Sequence, residues 1–137
     1  MPIVLAHNDQ SESDVVYDDR LGVSYEYPSR YRSLVIEGEH FVYYRGKLRA
    51  DGTRQTPHYF GTGVIGPITR NGKLYTCEIQ GYQPFNPVVP FKDAGHYLEP
   101  RANTLLRKLV GLHYRPGVRS IEQDAFDRIC HYGMRGR

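Results

Sequence analysis

The segment 59-YFGTGVIG-66 decides how this chain folds: it has the period of a β-strand but is broken by Gly61, Gly63 and Gly66. Glycine inside a strand weakens it and marks a bulge, a bend or the close approach of another group. Upstream, 39-EHFVYYRG-46 is its opposite, a strand crowded with aromatics. Alternation puts Phe41 and Tyr43 on one face and Val42 and Tyr44 on the other. Side by side, the two segments imply either tight packing in a curved sheet, with glycine giving way to rings, or a slot for a flat ligand. By the same alternation, packing inward accounts for one of Tyr43 and Tyr44 at most, and the other faces a helix, a pocket or water.

The elements around this pair follow from local signals. Residues 46-GKLRADGTRQTPH-58 read as a long, polar, basic loop turning at Asp51–Gly52. Asn71–Gly72 is a hairpin signal between 59-YFGTGVIGPI-68 and 73-KLYTCEIQ-80. Upstream, 23-VSYEYP-28 alternates like a strand, and Pro28 predicts a short helix over 29–36 with Tyr31, Leu34 and Val35 on one face. Pro84, Pro87, Pro90 and Pro100 argue against a long central strand in 81–100 and leave a short edge strand around 88–91. A helix is expected over 102–110 and another over 120–132. In the second, Ser120 and Gln123 form a capping box, Ile121, Ala125, Phe126 and Ile129 line one face, and Gly133 is the stop. The sum is an α+β fold, a small curved β-barrel with flanking short helices. Residues 1–22 are acidic and lack a sustained period, so they read as an N-terminal arm, with 3-IVLA-6 a candidate extra strand. Residues 23–132 form one domain and 133–137 a tail.

Bulk properties narrow the function classes. With 137 residues, 39% hydrophobic and 24% charged, the chain has the size and composition of one soluble domain. No segment has the ~20 apolar residues of a membrane span, and the N-terminus lacks signal-peptide features, so a cytoplasmic protein is the expectation. Cys77 and Cys130 lack CxxC spacing and read as buried thiols. Residues 1–19 hold Asp9, Glu12, Asp14, Asp18 and Asp19 without a cation. From 101 onward, Arg101, Arg107, Lys108, Arg115, Arg119, Arg128, Arg135 and Arg137 face three carboxylates, a balance that suits a polyanionic partner. The 12 tyrosines and 5 phenylalanines, with no tryptophan, suit surfaces that stack and hydrogen-bond together, or a β-rich core with hydroxyls at its rim.

No nucleophile elbow, P-loop or paired-carboxylate motif is present, and none of the six histidines pair at i, i+4 on a helix. The expectation is therefore no catalytic residues in a recognisable motif, no metal and no cofactor. Binding features are better represented. Arg45, Lys47, Arg49 and Arg54 lie on or beside the loop between two strands, where they can reach phosphates or stand as solvated charge.

In order along the chain, 25-YEYPSRY-31, 38-GEHFVYYRG-46, 59-YFGTGVIG-66, 82-YQPFNPVVPF-91 and 95-GHYLEP-100, closed by 117-GVRSIEQDAFDRI-129, resemble the EVE-like and SRA-like modules of the PUA superfamily. The likeness is nearest to the version that precedes HNH nucleases in modification-dependent restriction systems, and it covers roughly 23–130. It implies a β-barrel that flips a modified cytosine of double-stranded DNA into an aromatic pocket and directs a nuclease module. The tryptophans familiar near the pocket of EVE domains are absent here. By strand and helix position, Tyr27, Tyr31, Tyr43 and Tyr44 are assigned to the pocket walls and Phe60, Gly61 and Gly63 to its floor. Asp93 is assigned to the cytosine amino edge, and Arg30, Arg32, Arg45, Lys47, Arg49 and Arg54 to the DNA backbone. Aromatic stacking, worth about 1–3 kcal/mol per base, would offset the few kcal/mol of unstacking. Three other readings stay open: an RNA-binding PUA-superfamily module, an ASCH-type hydrolase if Lys47, Thr62 and Glu78 converge, and a purely structural interaction domain.

Overall fold

The glycines of 59–66 bend the sheet. In the computed structural model, which describes residues 1–7, 20–47, 49 and 51–135, β3 (His40–Arg45) and β4 (His58–Asn71) are antiparallel neighbours. Tyr43 stands opposite Gly61 and Phe41 opposite Gly63. A two-residue turn, begun by Gly72 at φ +64°, joins β4 to β5 (Leu74–Pro90) with Asn71 opposite Leu74. The β4–β5 register shifts between Tyr59 and Gly61, between Thr62 and Val64, and between Ile65 and Ile68. Each shift falls on or beside one of the three glycines, and each such irregularity sharpens the local bend and twist. The result is a curled half-barrel in the order β2-β5-β4-β3-β1-β8, where β1 is Ile3–Ala6, β2 is Ser24–Pro28 and β8 is Val118–Ser120. Short helices accompany it.

Several expectations need correction. The candidate strand at 3–6 exists and lies inside the sheet, parallel to β3 and antiparallel to β8, so the start of the 1–22 arm is part of the fold. Residues 8–19 of that arm, with its carboxylates, lie outside the described residues, as do 136–137 of the tail. The proline-rich run is not a short edge strand but the second half of the long β5. It is tolerated because β2 pairs only with residues 74–78, leaving one side of 84–90 without a strand neighbour to miss the N–H groups proline lacks. The helix expected over 29–36 shrinks to a 3₁₀ turn at Ser29–Tyr31. The one over 102–110 becomes 3₁₀ turns at Pro100–Thr104 and Arg107–Leu109, followed by α1 (Val110–Tyr114). The last helix, α2 (Gln123–Met134), has Glu122 as its N-cap with no side-chain cap bond, because Ser120 is held in β8 opposite Ile3.

Both faces of the sheet are covered, which is why Tyr43 and Tyr44 are both buried. Inside the curl, Ile3, Leu5, Tyr25, Tyr27, Phe41, Tyr43, Ile65 and Val118 form one core. Outside it, Val4, Val42, Tyr44, Tyr59, Phe85 and Val89 pack against Phe126 and Ile129 of α2 and against Leu98. Alternation does put Phe41 and Tyr43 on one face and Val42 and Tyr44 on the other, but a second core takes the outward set. The seam between the edge strands β2 and β8 is closed by side chains. Tyr25 donates its hydroxyl to the Ala6 carbonyl at 2.8 Å, and the Gly117 N–H donates to the Tyr31 hydroxyl at 3.1 Å.

Gly133 does not stop α2, which continues to Met134; its missing side chain makes room for Phe85. A Cβ there would lie 2.2 Å from the Phe85 ring. Gly133→Ala is therefore expected to destabilise the fold by about 1–3 kcal/mol through overpacking, read as a lower thermal midpoint. An unchanged or raised midpoint would contradict this packing.

Candidate nucleic-acid interface

The aromatic–glycine pairing that suggested a slot is filled by the protein's own rings. Added Cβ atoms would meet Tyr82 at 2.5 Å from Gly61 and Phe41 at 2.8 Å from Gly63. Phe60 stacks on Tyr43 at 5.1 Å, 4° from parallel, and the Arg45 guanidinium lies 4.2 Å from the centre of the Phe60 ring. Tyr27 stacks on Tyr75 at 5.7 Å. Tyr31 works at the seam, and Tyr44 faces the opposite core. The assigned walls and floor thus divide between two cores and the seam. The Tyr43 hydroxyl accepts from the Gly22 N–H at 3.1 Å.

Asp93 sits differently. It ends β6 (Lys92–Asp93), which turns through Ala94 (φ +51°) and Gly95 (φ +82°) into β7 (His96–Tyr97). Two successive left-handed residues make the tight turn of a short hairpin, and a non-glycine residue there is uncommon. Asp93 lines an open cavity of about 360 Å³ with Lys92, Leu98, Tyr132, Arg135 and the β5 edge from Pro87 to Pro90. The Tyr132 hydroxyl donates to Asp93 Oδ2 at 3.3 Å, and Arg135 lies 5.4 Å from the Tyr132 ring centre. One acceptor, one ring and two cations therefore surround a wall of Pro87, Val89 and Leu98. Tyr132 is missed in the sequence because α2 has the pattern of a core helix, and Arg135, just past α2, counts there only toward the basic C-terminal balance.

The basic loop adjoins this cavity. The Phe91 N–H donates to the Pro57 carbonyl at 3.0 Å, which anchors the end of the β3–β4 loop beside the strand leading to Asp93. Within the loop, Asp51 makes an Asx turn to Thr53, and Arg49 donates to the Thr53 hydroxyl and the Arg54 carbonyl. Lys47 and Arg54 are exposed, whereas Arg45 is half-buried and donates to the His7 carbonyl. Arg30 and Arg32 belong instead to the 3₁₀ turn at the seam, where Arg32 bonds the Ser29 carbonyl. The trio Lys47, Thr62 and Glu78 does not converge. Lys47 lies past the His58 end of β4, Thr62 binds the Phe41 carbonyl, and Glu78 sits on β5 at the level of Ser24.

A buried ion pair holds the segment after β7 in place. Glu99 is 2% exposed and Arg119 of β8 7%. Arg119 Nε and Nη2 donate to the Glu99 carboxylate at 2.6 and 2.8 Å, and Tyr59 donates to it at 2.5 Å. His113 Nε2 lies 3.0 Å from the same carboxylate. These four contacts occupy its roughly four lone-pair sites, so Glu99 serves the fold rather than a ligand. Burial alone would raise its pKa, but the bonds from Arg119 and His113 outweigh that and hold it at about 2. The Arg119 guanidinium also lies 4.6 Å from the Tyr44 ring centre and 5.0 Å from that of Tyr114. Burial pushes both hydroxyls well above the usual phenol range.

No family model matches this chain, and no curated protein matches it. Among the described residues no helix is long and apolar enough to cross a membrane.

Proposed function

We propose that the chain is a PUA-like, non-catalytic DNA reader that receives a flipped 5-modified cytosine in the Asp93–Tyr132 cavity. The observation that carries this reading is the combination there of an exposed carboxylate, a tyrosine ring and an apolar wall, beside a basic loop. A carboxylate accepts from the cytosine N4 amino group, which uracil and thymine lack. Tyr132 offers a ring to stack on, worth about 1–3 kcal/mol per base. Pro87, Val89 and Leu98 give a 5-methyl group an apolar contact, worth about 1–3 kcal/mol of discrimination. Lys92 and Arg135 at the rim, with Lys47, Arg49 and Arg54 on the loop, supply phosphate contacts that set orientation without reading sequence. The curled half-barrel with short helices is compatible with this family reading, and the effector would be a nuclease module.

The test is titration of a duplex carrying one 5-methylcytosine with the Asp93→Ala and Tyr132→Ala variants. Each is expected to lose at least about tenfold in affinity for the modified duplex. Tyr43→Phe, at a residue that does not line the cavity, should bind as the parent does. Undiminished binding by Asp93→Ala would remove the cavity from the mechanism, and a preference for single-stranded RNA over modified duplex would favour the RNA-binding alternative.

A further inference from the structure

A second surface shares no lining residue with the Asp93 cavity and combines exposed leucines with cations. Leu106, Leu109 and Leu112 are 65%, 37% and 53% exposed, unusual for three leucines spaced three apart. Leu106 is the extended N-cap of the 3₁₀ turn that ends at Leu109, and Leu112 follows in α1, where residues three apart are neighbours on the helix surface, so Leu109 and Leu112 form a short ridge with Leu106 at its start. The ridge borders a second cavity of about 400 Å³, lined in part by Leu105, Leu112, Pro116 and Ile121. Around it stand Arg101, Arg107, Lys108 and Arg115, all exposed and none ion-paired among the described residues. The exposed carboxylate in the cavity wall is Glu122, at the start of α2.

We propose that this ridge and cavity form a docking site for an acidic amphipathic helix of a second protein. Its apolar anchors would enter the cavity over Leu105 and Leu112, and its carboxylates would meet the four cations. A row of exposed leucines beside a concavity marks a protein-contact surface, and an amphipathic helix meets such a groove through anchors at i, i+3 or i+4, and i+7. Phosphates would use the cations but not the leucines. A second copy of the chain would bring the same cations against these, and like charges across an interface are unfavourable.

The probe is a synthetic helical peptide of about 18 residues with leucine at i, i+3 or i+4, and i+7 and glutamate at most other positions. A scrambled peptide of the same composition and one with lysine in place of glutamate serve as controls. By fluorescence anisotropy the full chain should bind the patterned acidic peptide at least about tenfold tighter than either control. Leu112→Asp and the double change Arg107→Glu, Lys108→Glu should each weaken that binding about tenfold or more with the thermal midpoint unchanged, and Leu112→Asp should leave duplex-DNA affinity unchanged. Leu109→Asp, farther from the cavity lining, provides a second apolar variant. Equal binding of the patterned and scrambled peptides would overturn the proposal. So would insensitivity to both leucine variants, or leucine variants that weaken duplex binding instead. Because the readout is peptide binding, failure here leaves the Asp93 reading standing, and failure of that reading leaves this one.

Discussion

Arg119→Met should destabilise the fold by about 3–5 kcal/mol, because it leaves the Glu99 carboxylate buried without its cation. In urea the midpoint should fall sharply with little change in slope. Glu99→Leu alone should be similarly damaging, since it strands the guanidinium against Tyr44 and Tyr114. Combining Glu99→Leu with Arg119→Met should recover much of the loss, because no buried charge is then left unpaired. If the double variant were as unstable as the sum of the two singles, the pair would not be acting as a unit. The same pair sets a pH dependence. The folded pKa of Glu99, about 2, lies below the carboxylate's ordinary value of 4.5. Its contribution to stability is thus fully present above the unfolded pKa and is lost as pH falls through that value toward the folded one. The denaturation midpoint should drop over that acid window, and the double variant should lose that part of the dependence.

The second large effect concerns the loop. Lys47→Gln with Arg54→Gln removes two exposed cations while keeping Arg49, whose bonds to Thr53 and Arg54 shape the turn. Two lost phosphate contacts should flatten the slope of log K against log salt by about 2 and weaken binding on the order of tens of fold near 0.1 M salt. The loss should be equal for modified and unmodified duplexes, because phosphate contacts carry no base information. A parent-like slope would move the DNA backbone away from this loop.

The elements most legible in sequence were those specified locally. The alternation of β3, the Asn71–Gly72 turn and the apolar face of α2 all depend on residues near one another in the chain. Long-range features were harder to read. Ile3–Ala6 gives no sign of lying between β3 and β8 until those strands are in place. The prolines of β5 are harmless only because β2 ends its pairing before them. Tyr44 is buried because α2, α1 and the segment after β5 form a second core, which a single-sided reading of one strand does not anticipate. Glu99 and Arg119 are twenty residues apart, and nothing in GHYLEP or GVRSIE joins them. At the candidate site Asp93 was assigned because it follows a proline-rich edge, whereas its partner Tyr132, 39 residues later, depended on how α2 lies across β5. The glycines of 59–66 prove to be places where the sheet bends and where Phe41 and Tyr82 lie close.

The most direct measurement is equilibrium binding of the parent chain, near physiological salt, to three otherwise identical duplexes. One carries 5-methylcytosine, one 5-hydroxymethylcytosine and one unmodified cytosine at the same position. The apolar wall beside Asp93 predicts the 5-methyl duplex tightest, by about tenfold over the unmodified one, with the hydroxymethyl duplex between them. Equal affinity for all three would contradict the account.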